Sequence, residues 1–124
     1  MLTILNKILL SDTLKDMEYE IKIYSTENGK EPFCEWLNSL KDIDTQALIF
    51  QRLQRIKLGN FGDCKPIDEG LWEFRIHHKA GIRVYYARVG HRLILIVGGG
   101  DKRSQERDIT KAKKYLEDYK KRVL

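Results

Sequence analysis

Arg75, His77, Arg83 and Tyr85 fall at alternating positions in two neighbouring runs, Leu71–His77 (LWEFRIH) and Ile82–Ala87 (IRVYYA). Alternate residues of a strand share a face, so pairing the runs brings these side chains within cross-strand reach. Cations gathered in this way call for an anion, because burying them without one is costly. Lys102, just after a third apolar run (Leu93–Val97), adds an amine to the same region. Tyr85 and the histidines offer flat surfaces on which an unpaired base can stack, worth roughly 1–3 kcal/mol per base. Nothing looks like a metal cage: the acids are dispersed, and His77 and His78 are adjacent on a strand and point to opposite faces. No serine or cysteine stands with an orienting His/Asp pair. Metal-free phosphate chemistry is what remains. RNA suits it, because its 2′-hydroxyl is a built-in nucleophile that needs only alignment, charge stabilisation and proton movement. Arg75 and Arg83 fit the charge-stabilising role, since a guanidinium stays protonated and grips phosphate with two donors. Lys102 and His77 are the candidates for proton transfer. An unperturbed histidine is the nearer to neutrality, and a lysine needs burial or cationic neighbours, so the residue types leave both open. Gly98-Gly99-Gly100 before Lys102 is no nucleotide loop, because Arg103 stands where a P-loop needs Ser or Thr.

The elements that must position these groups follow from period and punctuation. Tyr19–Ser25 alternates as a first strand, and Asn28-Gly29 ends it. Pro32 opens a helix in which Phe33, Trp36, Leu37 and Leu40 recur at helical spacing, with the tryptophan read as core. Asp42 or Asp44 caps a second helix with the stripe Ile49, Leu53, Ile56, stopped near Leu58 by Gly59-Asn60. Arg52, Arg55 and Lys57 lie off that stripe on a basic edge. Phe61–Glu69 reads as a loop. Three antiparallel strands follow, turned at His78-Lys79-Ala80-Gly81 and Val89-Gly90-His91, the last apolar on both faces and ended by the three glycines. Ser104-Gln105-Glu106-Arg107 caps a final helix with the stripe Ile109, Ala112, Leu116, Tyr119. The expected fold is α+β, in the order β-α-α-β-β-β-α: a small, mostly antiparallel four-stranded sheet with helices on one face.

A chain of 124 residues, 42% hydrophobic and 33% charged, suits one globular domain, expected over residues 18–124. Residues 1–17 read as a short extra helix or an extension ahead of Met17, too short to cross a bilayer and a poor signal peptide. Cys34 and Cys64 lack metal or redox spacing, which points to reduced thiols in the cytoplasm. The net charge of +5 favours encounter with polyanions. Lys102 to Arg122 alone holds nine Lys/Arg against four Asp/Glu.

Several strings, taken in order, resemble the HigB-type, phage-derived branch of the RelE/ParE toxin superfamily. They are Pro32-Phe33…Trp36-Leu37, Arg52-Leu53, Gly59-Asn60-Phe61-Gly62-Asp63, Leu71–Ile76, Gly81–Tyr86 and Gly99-Gly100-Asp101-Lys102…Gln105…Asp108-Ile109. The resemblance runs from about Tyr19 to the last helix. It implies a RelE-like fold and the toxin of a type II toxin–antitoxin module, a cofactor-free and metal-independent messenger-RNA endonuclease working on the ribosome. Its implied partners are ribosomal RNA, the message, and a helix-turn-helix antitoxin encoded beside it, with operator DNA bound only through the antitoxin complex and no membrane. By position, Arg75, Arg83 and Lys102 match basic residues of these toxins, and with His77 they form the candidate catalytic set. Glu73, Tyr85, Arg55, Lys57, Lys79 and Arg103 are candidates for holding substrate. Two positions depart from RelE itself: Glu73 stands where it has lysine, and no tyrosine follows Lys102, Asp108 lying there instead. The same scaffold also carries ParE-like inhibitors of DNA gyrase, and a non-catalytic RNA-binding remnant is the third reading.

Overall fold

The computed structural model describes residues 18–124; the helix or extension expected over residues 1–17 lies outside them. The elements in chain order are β1 (Glu20–Ile23), α1 (Pro32–Ser39), α2 (Ile43–Lys57), β2 (Cys64–Asp68), β3 (Leu71–Ile76), β4 (Ile82–Val89), β5 (Leu93–Asp101), a 3-10 turn (Lys102–Ser104) and α3 (Gln105–Val123). The strands form one sheet in the order β1-β5-β4-β3-β2, with β1 parallel to β5 and the other neighbours antiparallel. This is the expected α+β arrangement with one strand more. Cys64–Asp68, read as loop, is an edge strand; Pro66 and its charged neighbours mask the pattern, and an edge is where a proline can sit in a ladder.

The helices start and stop where local chemistry says they should. Pro32 occupies the first turn of α1, where its missing N–H goes unneeded. Asp42 caps α2, one carboxylate oxygen accepting from the Asp44 N–H at 3.1 Å and the other from the Thr45 hydroxyl at 2.7 Å. Gly59, at φ +89°, lets the chain leave α2. The expected Ser104 cap is different in form. Asp101 and Ser104 make a capping box around the 3-10 turn, and the Ser104 hydroxyl is turned onto Asp108.

Two hydrophobic cores sandwich the sheet. Against one face, Phe33 and Leu37 of α1 and Ile49, Leu53 and Ile56 of α2 meet Phe74, Val84, Tyr86, Ile94 and Ile96. Against the other, Ala112, Leu116 and Tyr119 of α3 meet Leu71, Tyr85, Ala87, Leu95 and Val97. The expectation of helices on one face is therefore corrected. The face carrying Arg75 and Arg83 is polar only at one end, and its other end is apolar enough to bury α3, at about 1.5–3 kcal/mol for each large side chain. The far end of α3 is tied down as well. The Tyr24 hydroxyl donates to Asp118, which also receives the Arg122 guanidinium, and Arg122 reaches the Ser25 carbonyl at 2.7 Å.

Two details of β5 shape the site. A bulge at Val97 leaves Tyr85 opposite Gly98 while Tyr86 stays opposite Ile96. Beyond it, Gly98 and Gly100 lie on the α3 side, paired with Tyr85 and Arg83, and Gly99 lies on the α1 side. A side chain on Gly99 would overlap the Trp36 ring, and one on Gly100 would overlap Asp108. Moreover β1 pairs with β5 only from Leu93 to Ile96, so the outer edge of β5 beyond Ile96 has no strand beside it among the described residues.

Candidate functional site

Strand register makes the site. Arg75 lies directly across from Arg83 near the end of the sheet that α3 leaves open, and Glu73 lies across from Tyr85, the next pair inward on that face. Glu73 is fully buried; one of its oxygens accepts from the Arg75 Nε at 2.9 Å and lies 3.5 Å from the Lys65 Nζ, across the β2 pairing. Arg75 is held by that carboxylate but keeps 31% of its side chain exposed. Arg83 is only 7% exposed and spends one donor, Nη1, on the Gly81 carbonyl at 3.2 Å.

Three buried polar atoms at this one place lack a partner among the described residues: the Arg83 Nε, the second Glu73 oxygen and the Tyr85 hydroxyl. Buried polar groups normally find partners, so three orphans on adjacent residues point to a site that something else completes. Burial pushes the Tyr85 hydroxyl well above the ordinary phenol range; the Glu73 and Asp108 carboxylates push it further, and Arg83 and Arg75 only partly offset them. Tyr85 is therefore a permanent O–H donor and not a base. It also lies inside the α3 core, which corrects its placement on an open polar surface.

Lys102 reaches the same corner. A Cβ placed on Gly81 would lie 3.6 Å from the Arg83 Nη1 and 3.9 Å from the Lys102 Cβ, so both cations border one glycine. Neither Arg83 nor Lys102 has an ion-pair partner among the described residues. Two like charges side by side with one carboxylate between Arg75 and Lys65 leave a surplus of positive charge, which suits an anion.

The remaining candidates separate into those that join and those that do not. His77 follows β3 two residues after Arg75, exposed, its Nε2 2.7 Å from Asp63 Oδ2. With Arg55, Gln51 and Arg75 this pair lines a groove of about 180 Å³ against α2, which Arg83, Tyr85 and Lys102 do not line. Lys57 does not line that groove. Lys79 is drawn onto Asp42 at the start of α2, and Arg103 onto Asp101 at 3.2 Å, so both are already neutralised. Arg52, placed by its spacing on a solvated edge, is a structural clamp: it donates to the carbonyls of Arg75, Phe61 and Asp63 and packs over the Phe74 ring at 4.9 Å. Sequence reading passed over Lys65, saw Ser104 only as a cap and Asp108 only as a departure from RelE, and gave Asp63 no role; nothing in their spacing sets Asp63 beside His77 or Asp108 near Tyr85. Among the described residues, no group of three or more His, Cys, Asp or Glu could hold a metal ion, and no helix is long and apolar enough to cross a membrane.

What the geometry can do is grip a phosphodiester: two guanidinium groups side by side, an amine at the rim, a neutral O–H donor beneath, and a histidine–carboxylate pair to one side. Comparison with known proteins places the chain in a lineage. It is 41% identical over 81 residues to an uncharacterized protein of Haemophilus influenzae (strain ATCC 51907 / DSM 11121 / KW20 / Rd), a stretch covering 65% of this chain and 82% of that one. Residues 35–120, which include α2 and every site residue named above, match the family described as Phage derived protein Gp49-like (DUF891), and the chain belongs to that phage-derived Gp49-like family.

Proposed function

We propose that this protein is the toxin of a type II toxin–antitoxin module, a metal-independent endonuclease that cuts messenger RNA on the ribosome. The observation that carries the reading is Arg83: a buried guanidinium, directly across from Arg75, whose Nε has no partner and which makes no ion pair among the described residues. Membership of a phage-derived family and the net charge of +5 support it. It goes with a cytoplasmic location, a helix-turn-helix antitoxin encoded alongside, and contact with ribosomal RNA.

In the reaction the substrate's 2′-oxygen attacks the adjacent phosphorus and the bond to the 5′-oxygen breaks. The products are a 2′,3′-cyclic phosphate and a 5′-hydroxyl. Arg75 and Arg83 take up the negative charge that builds on the non-bridging oxygens. Because Arg83 is already desolvated, its donors need little reorganisation and act at low local dielectric. The Tyr85 hydroxyl adds a neutral donor. His77, with its Nε2 proton given to Asp63, receives the 2′-hydroxyl proton on Nδ1, and Lys102 returns a proton to the leaving 5′-oxygen.

The test is induction of the chain in growing cells together with incubation in a translating extract. Growth arrest with new 5′ ends inside codons of translated messages is expected. Arg83→Ala should lower cleavage at least about tenfold, the equivalent of ~1.4 kcal/mol of transition-state stabilisation. An intact message pool during arrest refutes the nuclease and turns attention to a protein-contact inhibitor.

A further inference from the structure

A second cavity opens on the free edge of β5. Its volume is about 320 Å³, and it lies between Glu35 and Trp36 of α1 and Asp108, Lys111 and Tyr115 of α3, with Gly98 at its floor. It exists because β1 stops pairing at Ile96 and because a glycine stands at the floor: a Cβ on Gly98 would meet nothing within 4 Å. This cavity lies one strand away from the guanidinium cluster, since Gly98 is the strand partner of Tyr85 and Gly100 that of Arg83. The unpartnered, fully buried Tyr85 hydroxyl feels the Asp108 carboxylate as well as Glu73. Neighbouring strands are about 5 Å apart, so a polynucleotide whose phosphate rested on Arg75 and Arg83 would have a neighbouring nucleotide within reach of this opening.

The chemistry of the walls selects among bases. Glu35 and Asp108 are carboxylates with no ion-pair partner among the described residues, although Lys111 lines the same cavity. Asp108 gives one oxygen to the Ser104 hydroxyl and keeps the other. An ionised carboxylate only accepts hydrogen bonds, so it favours a base edge that carries an amino group, as cytosine N4 does, over one that presents carbonyl oxygens. Trp36 and Tyr115 supply flat, partly exposed aromatic surface for the ring.

We propose that this cavity is a nucleobase subsite that takes an amino-bearing base next to the gripped phosphate and discriminates against uracil. The proposal rests on the reading of the neighbouring cluster as an RNA site, and it names what that site reads. Cytosine against uracil is the sharpest comparison, because the two share a ring size and differ in the amino group that the carboxylates would accept.

The experiment is equilibrium binding of fluorescently labelled, fully 2′-O-methylated hexamers of cytidine and of uridine to the intact chain. These probes cannot be cleaved, so binding is measured whether or not the protein is a nuclease. The cytidine hexamer is expected to bind about tenfold more tightly, the size of one hydrogen bond to a charged group. The Glu35→Gln/Asp108→Asn double variant, checked for an unchanged thermal melt, should bring the two affinities together. Equal binding of both hexamers by the parent chain, or a preference that survives in the double variant, overturns the subsite and leaves the nuclease reading standing. No binding of either hexamer overturns the subsite, and the nuclease reading is then decided by 5′-end mapping on ribosomes. A cytidine preference without cleavage of unmodified RNA on ribosomes upholds the subsite and removes the nuclease.

Discussion

Replacing Arg83 by methionine should make the protein more stable and disable it at once. The side chain is 7% exposed, and among the described residues its Nε has no partner and its one hydrogen bond is to the Gly81 carbonyl. Exchanging a buried charge for an apolar side chain of similar length typically gains about 1–4 kcal/mol when no good ion pair is lost. The Gly81 carbonyl loses its donor, which costs about 1 kcal/mol. Relief of the like-charge pairing with Arg75 works in the stabilising direction. The expected net change is a gain of about 0–3 kcal/mol, with each kcal/mol raising the melting temperature by roughly 4 °C for a domain of this size. Chemical denaturation and a thermal melt measure one half of the prediction; 5′-end mapping in a translating extract measures the other, where cleavage should fall at least about tenfold. A structural arginine would behave in the opposite way. If Arg83→Met lowers the denaturation midpoint, or keeps full cleavage activity, then Arg83 is not a group held under strain for an incoming phosphate.

Three other outcomes are expected. Tyr85→Phe removes an orphaned buried hydroxyl, so stability should stay level or rise slightly while cleavage drops about tenfold, the size of one lost donor; unchanged cleavage would take Tyr85 out of the mechanism. Gly99→Ala should lower stability by about 1–3 kcal/mol in urea denaturation, because the added methyl must displace the packed Trp36 ring, and a neutral result would mean that α1 lifts freely. The Lys79 ammonium, together with the Thr45 hydroxyl and the Asp44 N–H, holds the Asp42 carboxyl well below its usual range. A carboxylate depressed in the folded state adds stability above its unfolded pKa and loses it as the solution is acidified. The fold should therefore weaken progressively below about pH 4, and Asp42→Asn should flatten that loss; an identical acid limb in the variant would refute the link.

Period-two alternation was enough to put Arg75 and Arg83 on one face and Phe74, Ile76, Ile82 and Val84 on the other, but a slip of two residues would keep those faces, so the pairing directly across is seen only in the fold. Helical spacing likewise identified the buried stripes of α2 and α3. What stayed hidden depends on tertiary contact. Whether Leu71, Ala87 and Leu95 face water or a helix is decided by where α3 lies, and no local pattern states that. Asp63 and Asp108 sit in a loop and on a helix, and they become part of the site only when the fold carries them to His77 and to Tyr85. Lys79 and Arg103 looked as available as Lys102, because an ion pair formed across a turn or by a chain reversal leaves no trace in composition. Val97 could not be recognised as a bulge from an apolar run that looks uniform.

The placement of β5 between β1 and β4 governs when the sheet can close during synthesis. The first strand made must wait for the last before it has a hydrogen-bonding neighbour, so Ile23 finds Ile96 only across most of the chain. Closing so long a loop is slow relative to forming hairpins, and the β3–β4 hairpin that carries both guanidinium groups exists before the strand that completes their surroundings. The corner where Arg83 and Lys102 meet thus exists only after Lys102 has emerged from the exit tunnel, and a chain ended before that residue lacks it.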